Sequence, residues 1–184
     1  MSSYEKVVQP EAYPLKRTAH CPNNDLPVLI YRDVLQSLNE ESASERLQRV
    51  FQGSSELVFG EGVSDDVGSG VRCIVRAGDV VVVPAGVGHA SVSKAEGAAD
   101  PVEGEPEYRY VGVYPKGSPH YKYEIGKKKL EEKSGLIEEV SAVPVPPNDP
   151  FNGYESQALK QALRTSGYPT RRAFIEKLDI CGST

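Results

Sequence analysis

The chain has 184 residues, of which 39% are hydrophobic and 26% are charged, and this balance suits a single folded domain with a modest tail. Its formal net charge of −5 argues against nucleic acid as a partner, because phosphate backbones are bound by basic surfaces. No apolar run approaches the roughly 20 residues of a membrane-spanning helix, so no membrane partner is expected. Three cysteines without a C-x-x-C pair, and a first segment unlike a signal peptide, predict a reduced, cytoplasmic location.

Three regions follow from the distribution of prolines, apolar runs and charges. Residues 1–25 are predicted to form an irregular arm, because three prolines interrupt any periodic pattern there. Residues 26–155 are predicted to form the main domain. Residues 156–184 read as a helical tail, with a Gly-Tyr-Pro stop signal between its two short helices.

Many short apolar segments separated by Gly and Pro predict that the main domain is an all-β sandwich or barrel. A segment at 34–51 instead has leucines at helical spacing, which predicts a short amphipathic helix before the main run of strands. The predicted strands are 26–32, 54–60, 71–76, 80–83, 89–93 and 108–115.

Two of these strands differ in their predicted burial. Leu57 and Phe59 alternate with Glu56 and Val58, which is typical of a strand with one buried face. The unbroken apolar run at 80–83 instead predicts a strand covered on both faces.

The segment with the clearest chemical content is GDVVVVPAGVGHASVS, residues 78–93. Gly78 permits a tight turn into the valine run, Pro84 ends the strand, and Gly86 allows the chain to reverse before His89. This arrangement resembles the second sequence motif of the cupins, G-x5-P-x-G-x2-H-x3-N. Ser93 stands where the motif has Asn.

The resemblance extends intermittently over residues 26–32 and 50–155, which are similar to the single-domain, YjlB-like members of the cupin superfamily. It implies an RmlC-like jelly roll, that is, a double-stranded β-helix with a metal or ligand site inside the barrel. It also implies that His89 is a metal ligand wherever such a site is complete.

The first cupin motif, G-x5-H-x-H-x3,4-E-x6-G, has no full counterpart. Gly53 fits its closing glycine, but Arg46 stands where the glutamate is expected, and residues 39–42 contain no imidazole. Three of the four metal ligands that the resemblance implies are therefore missing, and the jelly roll is predicted to be incomplete. The histidines of the whole chain are His20, His89 and His120.

Other side chains near these positions are possible replacements for the missing ligands. The glutamates at 40, 41 and 45 would lie on the predicted helix, where they do not project into a barrel as strand residues do. His20 and His120 are predicted to be solvated. A rebuilt site from His89, Glu56 and a further carboxylate stays open, although Glu56 is also expected to face solvent. Such a site would hold a divalent transition metal; without it no cofactor is expected.

Two functions remain open at this point. The first is a cupin-fold, small-molecule-binding or catalytically inactive module of unknown biochemical role. The alternative is a metal-dependent cupin enzyme, a dioxygenase or isomerase acting on a small organic substrate. Tyrosines at 108, 110 and 114 fall on one face of a strand and could line a pocket or form ordinary core. A homodimer is expected, because an incomplete jelly roll exposes strand edges.

We hypothesise that a segment of about 20 to 30 residues, equivalent to two strands and their connections, has been lost before Gly53 through alternative splicing or a gene-model error. Sequencing of the transcript tests this, and a skipped or misassigned segment is the expected result. A continuous message that encodes SERLQRVFQG, with no such segment, would refute the hypothesis.

Overall fold

In the computed structural model, most of the regular structure is antiparallel β-strand, which agrees with the predicted all-β class. For residues 49–51 the backbone alone is described. The structure describes residues 9–34, 49–92, 108–112, 114 and 125–143.

The described strands form two antiparallel sheets. In chain order they are β1 (Glu11–Tyr13), β2 (Val28–Tyr31), β3 (Arg49–Gln52), β4 (Ser54–Phe59), β5 (Val71–Arg76), β6 (Val80–Val82), β7 (His89–Ser91) and β8 (Arg109–Val111). The five-stranded sheet has the order β1-β2-β6-β3-β8, and the three-stranded sheet has the order β5-β4-β7. A 3-10 helix (Leu130–Glu132) and helix α1 (Leu136–Ala142) follow.

The main core lies between the two sheets. Val28 and Ile30 of the five-stranded sheet pack with Phe59 and Val75 of the three-stranded sheet, and all of them are fully buried. Burying side chains of this size contributes about 1.5–3 kcal/mol each. The two sheets are therefore held face to face mainly by apolar contact.

The five-stranded sheet is also buried on its other face around β6. Leu29, Tyr31 and Val80 form a second apolar cluster there, with Val34 and Val82 packed against it. Val81 packs in the main core, whereas Val80 and Val82 pack on the opposite face, so both faces of β6 are covered. The prediction of a doubly covered strand from the unbroken valine run is confirmed.

A buried carboxylate links the two sheets. Asp79 Oδ2 accepts hydrogen bonds from Arg32 Nη1 (2.9 Å) and from the Arg76 amide (3.0 Å), and Asp79 Oδ1 accepts one from the Asp33 amide (3.0 Å). Arg32 Nη1 also donates to the Ile74 carbonyl at 2.7 Å. Arg32 follows β2 and Ile74 belongs to β5, so this guanidinium bridges the sheets.

The same guanidinium also holds the edge strand β1. Glu11 Oε2 accepts hydrogen bonds from Arg32 Nε at 2.9 Å and from the Tyr13 hydroxyl at 2.6 Å, and it lies 2.8 Å from Arg32 Nη2 in the ion pair. The hydrogen bond from Arg32 is the largest cause that holds the pKa of Glu11 below its usual value. β1 is thus fixed both by its ladder with β2 and by this ion pair.

Two sequence predictions are corrected here. The predicted helix at 34–51 is wrong at its end, since residues 49–52 form β3 and pair with β6 and β8; residues 35–48 lie outside the described ranges. The predicted arm at 1–25 is not wholly irregular, because β1 pairs with β2 over three residues. In both places pairing with distant strands outweighs the local pattern.

Helix α1 has no counterpart among the sequence predictions, and the two predicted C-terminal helices lie outside the described residues. Gly135, with φ +77°, precedes α1, and Glu138 and Glu139 lie in its first turn, where carboxylates are favourable. No helix in the described part of the chain has the length and apolar character needed to cross a bilayer.

The link through Asp79 predicts a clear effect on stability. Asp79→Ala leaves Arg32 without its buried partner and the Arg76 and Asp33 amides without their acceptor. We expect the free energy of unfolding to fall by about 2 kcal/mol. The loss is smaller than for a fully buried ion pair because Arg32 is partly solvated. Asp79→Asn should cost about half as much. Urea denaturation measures both.

Asp66→Ala is the matched control, because Asp66 is an exposed residue of the β4–β5 loop. Its effect should lie within about 0.5 kcal/mol of zero. An Asp79→Ala variant as stable as this control would contradict a structural role for the carboxylate.

Candidate functional site

One face of the three-stranded sheet contributes to the core, and cross-strand register shows which side chains share it. Phe59 and Val75 are fully buried in that core, and residues directly opposite on antiparallel strands point to the same side. We call this side the inner face. It comprises Ser55, Leu57 and Phe59 of β4, Val71, Cys73 and Val75 of β5, and His89 and Ser91 of β7.

His89 lies on the inner face at its solvent-exposed end. It is directly opposite Phe59, and the two ring centroids are 6.4 Å apart with 30° between the ring planes. Phe59 is 0% exposed, whereas His89 is exposed. The inner face therefore passes from core to solvent between these two rings.

The turn that precedes β7 sets the position of His89. The Val87 amide donates to the Pro84 carbonyl at 3.2 Å, and Gly86 has φ +77°, a conformation that favours glycine. A side chain at Gly86 would also collide with Val140 of helix α1. The Gly and Pro spacing predicted to aim one imidazole thus has a physical basis in this turn.

The ring of His89 has one polar contact in the described structure. Its Nδ1 lies 3.3 Å from the Val87 carbonyl oxygen, which can accept but cannot donate. A neutral ring therefore carries its proton on Nδ1, and Nε2 keeps a free lone pair. Since His89 is exposed, that lone pair is accessible to solvent or to a ligand.

Two hydroxyl groups on the inner face contact each other, and one of them belongs to Ser91, two residues along β7 from His89. Ser55 Oγ and Ser91 Oγ are 2.6 Å apart, and Ser55 Oγ also donates to the Glu56 carbonyl at 3.3 Å. Ser91 is two residues from His89 on β7, so both side chains project to the same side. These two serines are 36 positions apart in the sequence, so no local pattern indicates their contact.

The cupin resemblance implies a metal at His89, but the donor set described here does not fit one. The inner-face neighbours of His89 are Phe59 and Ser91, neither of them an imidazole or a carboxylate. Among the described residues, no group of three or more His, Cys, Asp or Glu side chains could hold a metal ion. No chemical step is therefore derived through a metal.

The candidates for a rebuilt site are placed apart or lie outside the description. Glu56 pairs with Ile74 on the opposite face of β4 from Leu57 and is exposed, as the sequence predicted. It does not project beside His89. His120 and the glutamates at 40, 41 and 45 lie outside the described residues.

His20 was predicted to be solvated, and this is wrong. It is half-buried, and its Nδ1 is buried without a hydrogen-bond partner. Its carbonyl accepts from Lys133 Nζ at 3.0 Å, which ties the segment after residue 125 to the segment before β2. The three prolines of residues 1–25 predict an irregular arm, and nothing in that pattern indicates burial of His20.

The residues next to His20 form a polar cluster with a structural explanation. Burial is the largest cause that raises the pKa of Cys21, to about 11, so its thiol is protonated and unreactive at neutral pH. Burial also raises the pKa of Asp65, but hydrogen bonds from the Gly62 amide (2.9 Å) and the Thr18 hydroxyl (2.7 Å) lower it overall. The hydrogen bonds of Asp65 hold the segment at Thr18 against the loop at Gly62, and the cluster contains no activated nucleophile.

Tyr108, just before β8, and Tyr110, within β8, agree in part with both of the roles predicted for these tyrosines. Tyr108 packs against the main core, and burial raises its pKa to about 12. Tyr110 stacks on it with ring centroids 5.7 Å apart and is 52% exposed. One ring therefore serves as core, and the other is available at the surface.

Comparison with known proteins gives one partial similarity. The chain is 29% identical over 85 residues to the uncharacterized protein YjlB of Bacillus subtilis (strain 168). The aligned part is 46% of this chain and 44% of YjlB, so less than half of either protein is matched. No protein-family model matches the chain, and no solved structure does either.

The contact at Val87 predicts the tautomer of His89. Nitrogen-15 NMR of the imidazole should show the neutral ring protonated on Nδ1, because only that tautomer bonds to the Val87 carbonyl. His20, whose Nδ1 has no partner, is the internal reference. A neutral His89 protonated mainly on Nε2 would contradict the assignment.

Proposed function

We propose that this protein is a single-domain cupin with a jelly-roll fold that binds a small organic molecule on its inner face at His89, without a resident metal. The match to the second cupin motif and the partial similarity to YjlB support the family assignment. Two antiparallel sheets packed face to face are consistent with it. Fold alone does not give function, so the function is argued from the site.

The observation that carries the binding proposal is that the inner face changes from buried apolar side chains to exposed polar ones. Leu57 and Phe59 extend the core toward β7, and at β7 the same face presents an imidazole and a hydroxyl to solvent. An apolar wall with a few convergent polar groups is the usual composition of a small-molecule site. The apolar part would supply affinity, and His89 and Ser91 would orient the ligand.

The site offers little support for nucleophilic or metal-assisted chemistry. Burial is the main cause that raises the pKa of Cys73, so this thiol is mostly protonated at neutral pH and carries no charge. Within the described part of the chain, the side chains around His89 do not form a donor set for a transition metal. A binding role therefore agrees better with the described residues than a metal-dependent dioxygenase or isomerase does.

Protein-observed NMR with a library of small organic fragments tests the binding proposal. We expect fragments to shift the amide signals of Leu57, Phe59, His89 and Ser91, and His89→Ala to weaken those fragments by about fivefold through loss of one hydrogen bond. His20→Ala is the control, since it removes an imidazole elsewhere and should leave the affinities unchanged. Absence of any binding, or shifts confined to other surfaces, would overturn the proposal.

Metal analysis of the purified protein separates this function from the enzymatic one. We expect no stoichiometric iron, manganese, nickel or zinc in the wild type. A stoichiometric metal that is present in the wild type and disappears in His89→Ala would overturn the metal-free assignment.

A further inference from the structure

We propose that the ligand of this site is a neutral molecule that donates two hydrogen bonds, of which a vicinal diol is the simplest example. The inference rests on the proposed binding function and specifies its ligand. It follows from the direction of the hydrogen bonds that the described residues already make around His89 and Ser91.

The first acceptor of the site is His89 Nε2. The Val87 carbonyl oxygen, 3.3 Å from Nδ1, accepts the single ring proton of a neutral imidazole. The other ring nitrogen then has a lone pair and no proton. No second polar partner of this ring occurs among the described residues, so Nε2 is open to a donor.

The second acceptor is Ser91 Oγ. Ser55 has a second acceptor within reach, the Glu56 carbonyl at 3.3 Å, whereas Ser91 has only Ser55 Oγ, at 2.6 Å, within the described structure. The arrangement with most bonds sends the Ser55 proton to Glu56 and the Ser91 proton to Ser55. Both hydroxyl protons are then used internally, and Ser91 presents lone pairs only.

The placement of the two acceptors suits a ligand whose two donors are close together. His89 and Ser91 are two residues apart on one strand, so their side chains leave the same face from Cα atoms about 6.6 Å apart. A vicinal diol carries its hydroxyl groups on neighbouring carbons, which lets one small molecule offer a donor to each side chain.

The charge of the surroundings also favours a neutral ligand. Of the residues that make up the inner face, none is a carboxylate, a lysine or an arginine. An anionic ligand would place its charge against the lone pairs of His89 and Ser91, and a cationic one would find no carboxylate there. A charged ligand therefore gains no ion pair from the inner face when His89 is neutral.

Matched ligand pairs test the inference directly. Catechol and 1,2-dimethoxybenzene have similar ring shapes, but methylation removes both donors and keeps both oxygens. We expect catechol to bind at least fivefold more tightly in NMR titrations, because each unmade bond costs about that factor. cis-Cyclohexane-1,2-diol and its dimethyl ether form the second pair, which shows whether the diol is aromatic or aliphatic.

Three variants locate the effect. Ser91→Ala should weaken catechol about fivefold and leave 1,2-dimethoxybenzene unchanged, since only the diol uses that acceptor. Ser55→Ala frees the Ser91 proton, which can then donate to an ether oxygen, so the preference for catechol should shrink by threefold or more. Ser54→Ala is the control, because Ser54 is exposed on the opposite face of β4 and should change neither ligand.

The outcomes distinguish this inference from the proposed function. If both diethers bind at His89 as tightly as their diols, or if Ser55→Ala leaves the preference intact, the donor requirement is wrong while the binding function stands. If neither diol shifts the His89 or Ser91 signals but other fragments do, the ligand class is wrong. If nothing binds at the inner face, the proposed function fails and this inference fails with it.

Discussion

The carboxylate of Asp79 connects the two sheets on which the rest of the described structure is built. It accepts hydrogen bonds from the Arg32 guanidinium and from the Arg76 and Asp33 amides, while Arg32 reaches the Ile74 carbonyl of the other sheet. Apolar packing supplies most of the stabilisation but does not by itself select an orientation. The directional hydrogen bonds at the β5–β6 turn do select the orientation of the sheets, because a buried charge must be paired in a specific geometry.

The functional site depends on that turn through the chain that follows it. β6 follows Asp79, pairs with β2 on one side and β3 on the other, and ends at Val82, two residues before Pro84. The turn through Gly86 then reverses the chain into β7, where His89 is set opposite Phe59. A site made of one imidazole and one hydroxyl on an edge strand costs the folded state little free energy. Its open lone pairs accept hydrogen bonds from water until a ligand replaces that water.

Strands with a strong local pattern were predicted correctly. The valine run at 80–83 predicted β6 and its double coverage, and the alternation at 56–59 predicted β4 with Phe59 buried and Glu56 exposed. The alternation was wrong for Val58, which was expected on the exposed face with Glu56 but is buried. The end of the predicted helix failed at Arg49, where pairing with Val80 and Val111 makes a strand. The exposed position expected of His20 also failed, because Lys133, distant in sequence, lies against its carbonyl.

The sequence by itself determined the all-β class, the strands with clear periodicity, and the turn that delivers His89, since each of these follows from neighbouring residues and their backbone preferences. Only the tertiary structure decided what surrounds that imidazole. The contact of Ser55 with Ser91, the stacking of His89 on Phe59 and the link from Arg32 to Asp79 join residues between 30 and 47 positions apart. No local pattern records such contacts, because they arise from strand register and sheet packing.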